Sequence, residues 1–441
     1  MDRMDRGHED PRKVPPGEVT RAAMGALRWV TRAGRPAEGG LSWPRTTAPG
    51  SPLTDDLYDG TAGVLAALAE ARLCGIGDFD DYARAAAGRL CALASQTAGT
   101  GRLPDLGLYT GLGGAAAALH LWWQASGEPA AGQAAGSLAR AIARTTQAAG
   151  PLTPWRDVIA GEAGILLVLA GIGDASTSPA GAGLADHLVG QAIWIDGLPD
   201  WHPRAGARAI TPNFSHGAAG IGYALATASA RLKRPDLLDV ATMAARRLIR
   251  LGRRPDGTLA VPNRIPPPDP PAEPVSYGWC HGPTGTLRLF WLLDRLQPGC
   301  GWAGWAQAGR LAVRRSGLPA RLRAGFWDNV GQCCGTAGVG EMAIDSYQES
   351  GDGGWLDWAA ELAADVLGRR IADESGVRWS NTEHRLDPPD LEPELGWMQG
   401  AAGIAAWLLR LARVRGQGTD APQLWWPDRP APASARPDDT Q

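Results

Sequence analysis

A short motif, Gly-x-x-Gly followed by an apolar run, occurs seven times along the 441 residues of this chain. The spacing between copies is roughly 50 to 65 residues, longer than a single helical hairpin of the common solenoid repeats. An uninterrupted repeat of this kind predicts one large domain instead of several small ones. The first glycines of the seven motifs are Gly60, Gly111, Gly161, Gly217, Gly282, Gly335 and Gly400.

Two kinds of helical segment alternate along the repeat. Each motif is followed by a run of leucine and small residues, such as 64–69, that is apolar on nearly all sides and typical of an interior helix. Amphipathic segments with arginine on one face, such as 82–92 and 237–251, are typical of outer helices. No long run alternates with period two, so β structure should be minor. The sequence therefore predicts an all-α fold in which inner and outer helices form a closed ring.

The repeat places the domain at residues 20–426. Residues 1–19 are charged and contain proline, and residues 427–441 are rich in proline, alanine and aspartate, so we expect a flexible segment and a disordered tail there. The net charge of −3 gives no sign of nucleic-acid binding. No apolar run is long enough for a membrane span or a signal peptide, which predicts a cytoplasmic protein with reduced thiols.

Three of the six cysteines stand at the starts of two neighbouring inner helices. Cys280 belongs to Gly278-Trp279-Cys280-His281-Gly282, while Cys333 and Cys334 precede Gly335. Three thiolates that converge from two repeats can hold one Zn²⁺ and leave its fourth position open for chemistry. The alternatives are three buried structural cysteines, or a disulfide between Cys333 and Cys334. The other three, Cys74, Cys91 and Cys300, have no such context.

Two further residues stand where proton transfer would be expected. His216 directly precedes Gly217, as His281 and Cys334 precede the glycines of their repeats, so its side chain should point to the same end of the ring. Asp157 precedes Gly161 by four residues, and a carboxylate beside a histidine would orient the imidazole for proton transfer. His281 is a candidate ligand, proton-transfer group or hydrogen-bond donor to the thiolates. The alternative is that His216 and Asp157 only stabilise helix starts.

Together these residues resemble the lanthionine synthetase C-like proteins, the cyclases of lanthipeptide biosynthesis. The resemblance extends over about residues 20–420. Besides the glycine motifs it rests on Asp157-Val158-Ile159-x-Gly161, Ser215-His216-Gly217, Trp279-Cys280-His281-Gly282 and Cys333-Cys334-Gly335. It implies an α/α toroid, a double-layered barrel of seven inner and seven outer helices.

The resemblance also implies a catalytic zinc, one per chain, held by two cysteines and a third residue that is usually histidine. The matching positions here are Cys280, Cys333 and Cys334, so this chain has a third cysteine, as some related bifunctional synthetases do. Three thiolates leave the zinc unit with a formal charge of −1, which should weaken its Lewis acidity and make a bound thiolate more nucleophilic. A basic residue that some relatives carry four positions before the first zinc cysteine is Ser276 here.

The implied reaction is the addition of a peptide cysteine thiolate to a dehydroalanine or dehydrobutyrine, which forms a thioether ring of the lanthionine type. His216 would protonate the α-carbon, with Asp157 as its orienting partner and His281 nearby. The sequence contains no dehydratase or kinase region, so the expected partners are a dehydrated precursor peptide and a separate dehydratase. Three alternatives remain: addition of a small thiol such as glutathione, a non-catalytic zinc-binding scaffold, and another α/α-barrel enzyme such as a terpene cyclase or glycosidase.

Overall fold

The computed structural model describes residues 14–97, 103, 105–149, 153–267, 274–320, 329–380 and 391–429. Within these residues the chain forms 14 α-helices. In chain order they are α1 (Pro16–Arg32), α2 (Thr61–Leu73), α3 (Asp80–Thr97), α4 (Leu112–Ser126), α5 (Pro129–Ala149), α6 (Glu162–Ile172), α7 (Ser178–Gly190), α8 (Ala218–Leu232), α9 (Pro235–Gly252), α10 (Pro283–Leu296), α11 (Trp302–Arg314), α12 (Thr336–Ser350), α13 (Gly353–Gly368) and α14 (Ala401–Gln417).

The even-numbered helices form the inner layer and the odd-numbered helices the outer layer. Every inner helix begins directly after the first glycine of a motif, and its first two turns are buried. Inner helices pack against the outer helices that follow them, while α1 packs against α14, which also packs against α2. The first and last helices thus close the ring. The predicted all-α fold, an α/α toroid of seven inner and seven outer helices, is confirmed.

β structure is confined to small antiparallel sheets. They comprise β1 (Arg35–Ala37), β2 (Gly40–Pro44), β3 (Leu53–Thr54), β4 (Ile193–Ile195), β5 (Leu198–Asp200), β6 (Ile371–Asp373) and β7 (Gly376–Arg378). Hairpins follow the outer helices α1, α7 and α13, and a buried tryptophan at or just after each second strand donates its indole N–H to a carbonyl near the end of that helix. These bonds, each 2.8 Å, join Trp43 to Val30, Trp201 to Leu188 and Trp379 to Val366. Each carbonyl also accepts a backbone N–H at the end of its helix, so the indole adds a second hydrogen bond that ties the hairpin to the helix.

The glycine motif lets a turn lie directly against the first turn of each inner helix. At Gly285 and Gly338 an added Cβ would lie 2.0 Å from the carbonyl oxygen of the preceding turn, so no side chain fits there. The helix starts carry no side-chain cap at the first glycine, and turn carbonyls serve instead: the Thr336 N–H donates to Asn329 at 2.9 Å. Otherwise these first N–H groups would be buried without acceptors. The repeat of the motif therefore reflects a repeated packing contact.

Backbone hydrogen bonds join the seven turns into a closed belt. Each bond runs from one turn to the next around the ring, and the N···O distances lie between 2.8 and 3.1 Å. The belt bonds are Tyr58 to Tyr109, Tyr109 to Ile159, Val158 to Ser215, Ser215 to Cys280, Cys280 to Cys333, Cys333 to Met398 and Met398 to Tyr58. The belt fixes each turn relative to its neighbours, which places Cys280 and Cys333 side by side.

The C-terminal segment, residues 421–429, occupies the lumen enclosed by the inner helices. Trp425 donates its backbone N–H to the Gln124 side chain near the end of α4, and Trp426 stacks on Trp397 with ring centroids 4.6 Å apart. Asp428 is 1% exposed and accepts hydrogen bonds from Arg288 of α10 and from Tyr109, two groups that come from different sides of the ring. The segment therefore fills the lumen and links opposite walls.

The ends of the domain differ from the predicted boundaries. The expected flexible segment 1–19 overlaps α1, which begins at Pro16 and buries Val19 against the core. The expected tail begins at residue 427, but Asp428 lies in the lumen because Arg288 provides a buried positive charge there. Residues 1–13 and 430–441 lie outside the described residues. Among the helices that are described, none has both the length and the apolar character to cross a membrane.

We predict that Asp428→Ala lowers the free energy of unfolding by about 3–5 kcal/mol, because it leaves Arg288 as an unpaired charge in the lumen. Urea denaturation followed by circular dichroism measures this change. Asp186→Ala, which removes an exposed pair with Arg234, is the matched control and should leave the midpoint nearly unchanged. Equal effects of the two variants would contradict a stabilising role for the lumen contact.

Candidate metal centre

One residue of each motif points to the same end of the toroid. These residues directly precede the first motif glycines, and we call this set the rim. In chain order the rim consists of Asp59, Thr110, Ala160, His216, His281, Cys334 and Gln399. Because the belt joins the residues just before them, neighbours on the rim come from neighbouring repeats. Residues far apart in sequence thereby meet in one site.

Cys280, Cys333 and Cys334 form a compact cluster of sulfur atoms. The Sγ atoms of Cys280 and Cys334 lie 3.3 Å apart, and those of Cys334 and Cys333 lie 3.5 Å apart. All three are free thiols, so the alternative of a disulfide between Cys333 and Cys334 does not hold in this structure. Cys280 and Cys333 are buried, and Cys334 is partly exposed. Cys74, Cys91 and Cys300 lie outside the cluster.

The cysteine cluster has the geometry of a zinc site. In a tetrahedral site with Zn–S bonds of about 2.3 Å, two sulfurs stand about 3.8 Å apart, close to the separations here. Sulfur is also the soft donor that Zn²⁺ accepts. The described part of the chain adds no fourth histidine, cysteine or carboxylate to the cluster. The three sulfurs therefore fit a metal ion with one coordination position left for another ligand.

The three thiols have unequal acidity. Burial raises the pKa of Cys280 well above its usual value. Hydrogen bonds from Cys280 and Cys333 hold the pKa of Cys334 well below its usual range, and Gln399 and His281 act in the same direction. A divalent cation would favour ionisation of all three thiols.

A histidine and a carboxylate form a hydrogen-bonded pair on the rim beyond His281. The Nδ1 atom of His216 lies 2.7 Å from Oδ2 of Asp157, and Oδ1 of Asp157 accepts the Ala160 N–H at 2.9 Å. The Asp157 side chain is 1% exposed, whereas that of His216 is 32% exposed. Because the carboxylate accepts the Nδ1 proton, Nε2 of His216 is the atom left to exchange protons. The structure thus places the two predicted residues in direct contact.

His281 lies between His216 and the cysteine cluster on the rim. Its ring centroid is 5.6 Å from that of His216. Oδ1 of Asn213 accepts the His216 backbone N–H at 3.1 Å, so Nδ2 of Asn213 is the donor that faces Nδ1 of His281 at 2.8 Å. Nδ1 of His281 is therefore an acceptor, and the neutral ring carries its proton on Nε2. Asn213 thus fixes the backbone at His216 and the ring of His281.

The structure adds residues on or beside the rim that the sequence analysis did not select. Gln399 contacts Cys334 and Tyr58, and Asn213 orients His281. Burial, with a contribution from the charge of Glu394, raises the pKa of Asp59 to about 7. Asp59 and Gln399 directly precede motif glycines, as His216 does, so the repeat position itself is the pattern by which they could have been found.

Ser276 is buried, and it does not replace the basic residue expected at its position. Its Oγ atom and its backbone N–H both donate to Oδ1 of Asn263, at 2.9 and 3.1 Å. The serine therefore binds a neighbouring loop side chain instead of supplying a charge.

Comparison with known proteins identifies the family. The sequence model of the lanthionine synthetase C-like proteins matches residues 51–415. This range includes all seven glycine motifs, the cysteine cluster, His216 and Asp157. The chain therefore belongs to the lanthionine synthetase C-like family.

Solved structures show the same fold at low sequence identity. Nisin cyclase superposes with a TM-score of 0.61 at 18% identity, over 80% of this chain and 88% of that one. An unsaturated glucuronyl hydrolase specific for heparin superposes with a TM-score of 0.50 at 10% identity, over 90% of this chain and 98% of that one. At such identities the likeness establishes the toroid alone. A search of curated protein sequences found no match.

We predict that the purified, reduced protein contains about one zinc ion per chain, and that Cys334→Ala loses it or binds it far more weakly. Elemental analysis after gel filtration in chelator-free buffer measures the content. Cys300→Ala, which changes an exposed cysteine outside the cluster, is the control and should retain the metal. Equal zinc content in Cys334→Ala and the wild type would contradict the three-sulfur site.

Proposed function

We propose that this protein is a zinc-dependent cyclase that adds a cysteine thiol of a peptide to a dehydroalanine or dehydrobutyrine of the same peptide. The product is a lanthionine or methyllanthionine thioether ring. The placement of the three-sulfur cluster and a carboxylate-supported histidine at the same end of the toroid carries this proposal. Membership of the lanthionine synthetase C-like family supports it as well.

Cys280, Cys333 and Cys334 would hold one Zn²⁺ per chain. When bound, the ion lowers the pKa of a substrate thiol at its fourth position, so that a thiolate exists near neutral pH. Burial of Cys280 and Cys333 shields the ligands from water, and Cys334 is the partly exposed member. The substrate cysteine would therefore approach from the rim.

His216 is the proposed acid that delivers a proton to the α-carbon of the dehydro residue. The Asp157 carboxylate accepts the hydrogen bond from Nδ1–H of His216. Nε2 of His216 is then the atom that would exchange a proton with the substrate. In the overall step the substrate thiol loses its proton, sulfur bonds to the β-carbon, and the former double bond takes up one proton at the α-carbon. Atoms and electrons balance without a further reactant, because the proton lost from sulfur equals the proton gained at carbon.

His281 is the proposed second proton-transfer group. Asn213 donates to its Nδ1, which leaves the proton of the neutral ring on Nε2. Its position between His216 and Cys334 on the rim would let it stabilise negative charge that develops on the substrate during addition. This assignment gives the two histidines different partners and therefore different roles.

The proposed substrate is a precursor peptide whose serines or threonines were already dehydrated by a separate dehydratase. A rim that holds the thiol and the proton donor together converts a slow encounter into an intramolecular reaction. No contact in the described residues favours a small thiol over a peptide cysteine. Addition of a small thiol is therefore retained only as an outcome of the assay below.

We expect His216→Gln to slow cyclisation by about 10²–10⁴-fold, the range typical for loss of a general acid, while zinc content stays unchanged. Asp157→Asn should also slow it, because an amide no longer fixes the imidazole tautomer. The assay incubates the protein with a dehydrated peptide that contains one cysteine and counts the thiols that still react with N-ethylmaleimide by mass spectrometry.

His187→Gln is a matched control, because His187 of α7 forms a similar pair with Glu162 of α6 at 2.8 Å and belongs to neither the rim nor the cysteine cluster. It should cyclise at the wild-type rate. Cyclisation leaves the peptide mass unchanged and removes the reactive thiol, whereas addition of glutathione would raise the mass. Zinc-loaded wild-type protein that performs neither reaction on any dehydrated peptide would overturn the enzymatic function and favour the scaffold alternative.

A further inference from the structure

Gln399 holds, in the seventh repeat, the position that His216, His281 and Cys334 hold in theirs. Its rim neighbours are Cys334 on one side and Asp59 on the other. The side chain is partly buried, and the Nε2 atom lies 3.5 Å from Sγ of Cys334 and 3.2 Å from the hydroxyl oxygen of Tyr58. An uncharged amide thus contacts one of the three proposed metal ligands.

The direction of this contact is fixed by a chain of hydrogen bonds that begins at the backbone. The Gly331 N–H can only donate, and it donates to Oδ1 of Asn329 at 2.9 Å. The other end of the same amide, Nδ2 of Asn329, therefore donates to Oε1 of Gln399 at 2.9 Å. The Gln399 amide can then present only its N–H groups to Cys334 and Tyr58.

Tyr58 extends the same arrangement to a second sulfur. Its hydroxyl oxygen accepts from Gln399, and the hydroxyl also contacts the Cys333 thiol. Since the oxygen accepts from the amide, the phenolic proton is available for the sulfur. Two neutral donors, one amide and one phenol, thus face two of the three sulfurs.

Such donors would offset the excess negative charge that three thiolates bring to one metal ion. Three thiolates and one Zn²⁺ carry a net charge of −1 before any substrate thiolate binds. A hydrogen bond to a thiolate withdraws negative charge from the sulfur and reduces the repulsion between neighbouring thiolates. A neutral amide achieves this without adding a buried cation that would itself need a partner.

We propose that Gln399 is a positioning residue that donates a hydrogen bond to the Cys334 thiolate and so enables three thiolates to share one zinc ion. This proposal rests on the zinc-dependent function proposed above and adds a residue to that centre. Asn329 sets the orientation of the Gln399 amide, and Tyr58 supports the neighbouring sulfur.

A purely structural role for Gln399 makes the opposite prediction for two substitutions. Gln399→Glu keeps an oxygen that accepts from Asn329 but places a negative oxygen against Cys334. Gln399→Leu removes both functions and adds no charge. A residue that only anchors the turn should therefore tolerate glutamate better than leucine, whereas a donor to the thiolate should tolerate leucine better than glutamate.

The test measures metal binding by the full-length protein after removal of its metal. Zinc affinity is obtained by competition with a chromophoric chelator, and Co²⁺ replaces Zn²⁺ so that the sulfur-to-cobalt charge-transfer band can be recorded. We expect Gln399→Glu to weaken zinc binding by about 10–100-fold, and Gln399→Leu by less. In Gln399→Leu the charge-transfer band should move to lower energy, because a sulfur that loses a hydrogen bond is a stronger donor.

Two further variants serve as a control for added charge and as an independent test of the amide orientation. Gln297→Glu introduces the same charge at the end of α10, where Gln297 accepts from Trp302, and should leave zinc affinity unchanged. Asn329→Asp keeps the acceptor for Gly331 but removes the donor to Gln399, so the Gln399 amide should reverse and zinc binding should weaken as well. This variant leaves position 399 intact and provides the test if Gln399→Glu does not fold.

The outcomes separate this proposal from the proposed function. Suppose that the wild-type protein binds metal. If the leucine variant is then more impaired than the glutamate variant, or if the charge-transfer band is unchanged, the donor role of Gln399 is overturned and the cyclase proposal stands. Wild-type protein that binds neither Zn²⁺ nor Co²⁺ overturns both. The order wild type, leucine, glutamate in falling zinc affinity, with the band shifted, supports the donor role.

Discussion

The belt of backbone hydrogen bonds is the constraint on which the rest of the structure depends. It joins the turns that precede all seven inner helices, and it includes the backbone of Cys280 and Cys333 themselves. Because each rim residue directly follows a belt residue, the belt also fixes the spacing of the rim residues. Close approach of these turns to the helices needs glycine at two fixed positions per repeat, as Gly282 and Gly285 show. The glycine motif, the ring and the cysteine cluster therefore depend on the same packing of turns against helices.

The proposed chemistry depends on how this rim distributes partners among similar positions. His216 has a buried carboxylate, His281 has an amide donor, and Cys334 has two other sulfurs. Equivalent backbone positions thus carry side chains with different hydrogen-bond partners. The belt sets the positions of the rim residues, and the partner that each rim side chain contacts sets its chemistry. A toroid therefore does not by itself define the site that it carries.

Much of the fold could be predicted from the sequence, because the glycine motif and the apolar runs are local patterns. The cysteine cluster could be predicted too, since its members occupy equivalent repeat positions. The role of the C-terminal segment could not: Asp428 stands in a proline-rich stretch that is typical of a tail, and only Arg288 and Tyr109, far away in sequence, make it part of the lumen. Gln399 was missed for a chemical reason, because an amide neither titrates nor ligates zinc in the usual way.

The contact between Gln399 and Tyr58 crosses the seam at which the first and last repeats meet. Met398 and Tyr58 close the belt at this seam, and Arg415 of α14 donates to the Val14 carbonyl just before α1. One of the proposed donors to the thiolates therefore comes into place only when the two ends of the repeat array have joined. A ligand that binds only the closed ring stabilises closure by mass action. Metal occupancy and closure of the seam would then be thermodynamically linked. Metal binding at the cysteine cluster would stabilise the contact between the first and last repeats, which are hundreds of residues apart in sequence.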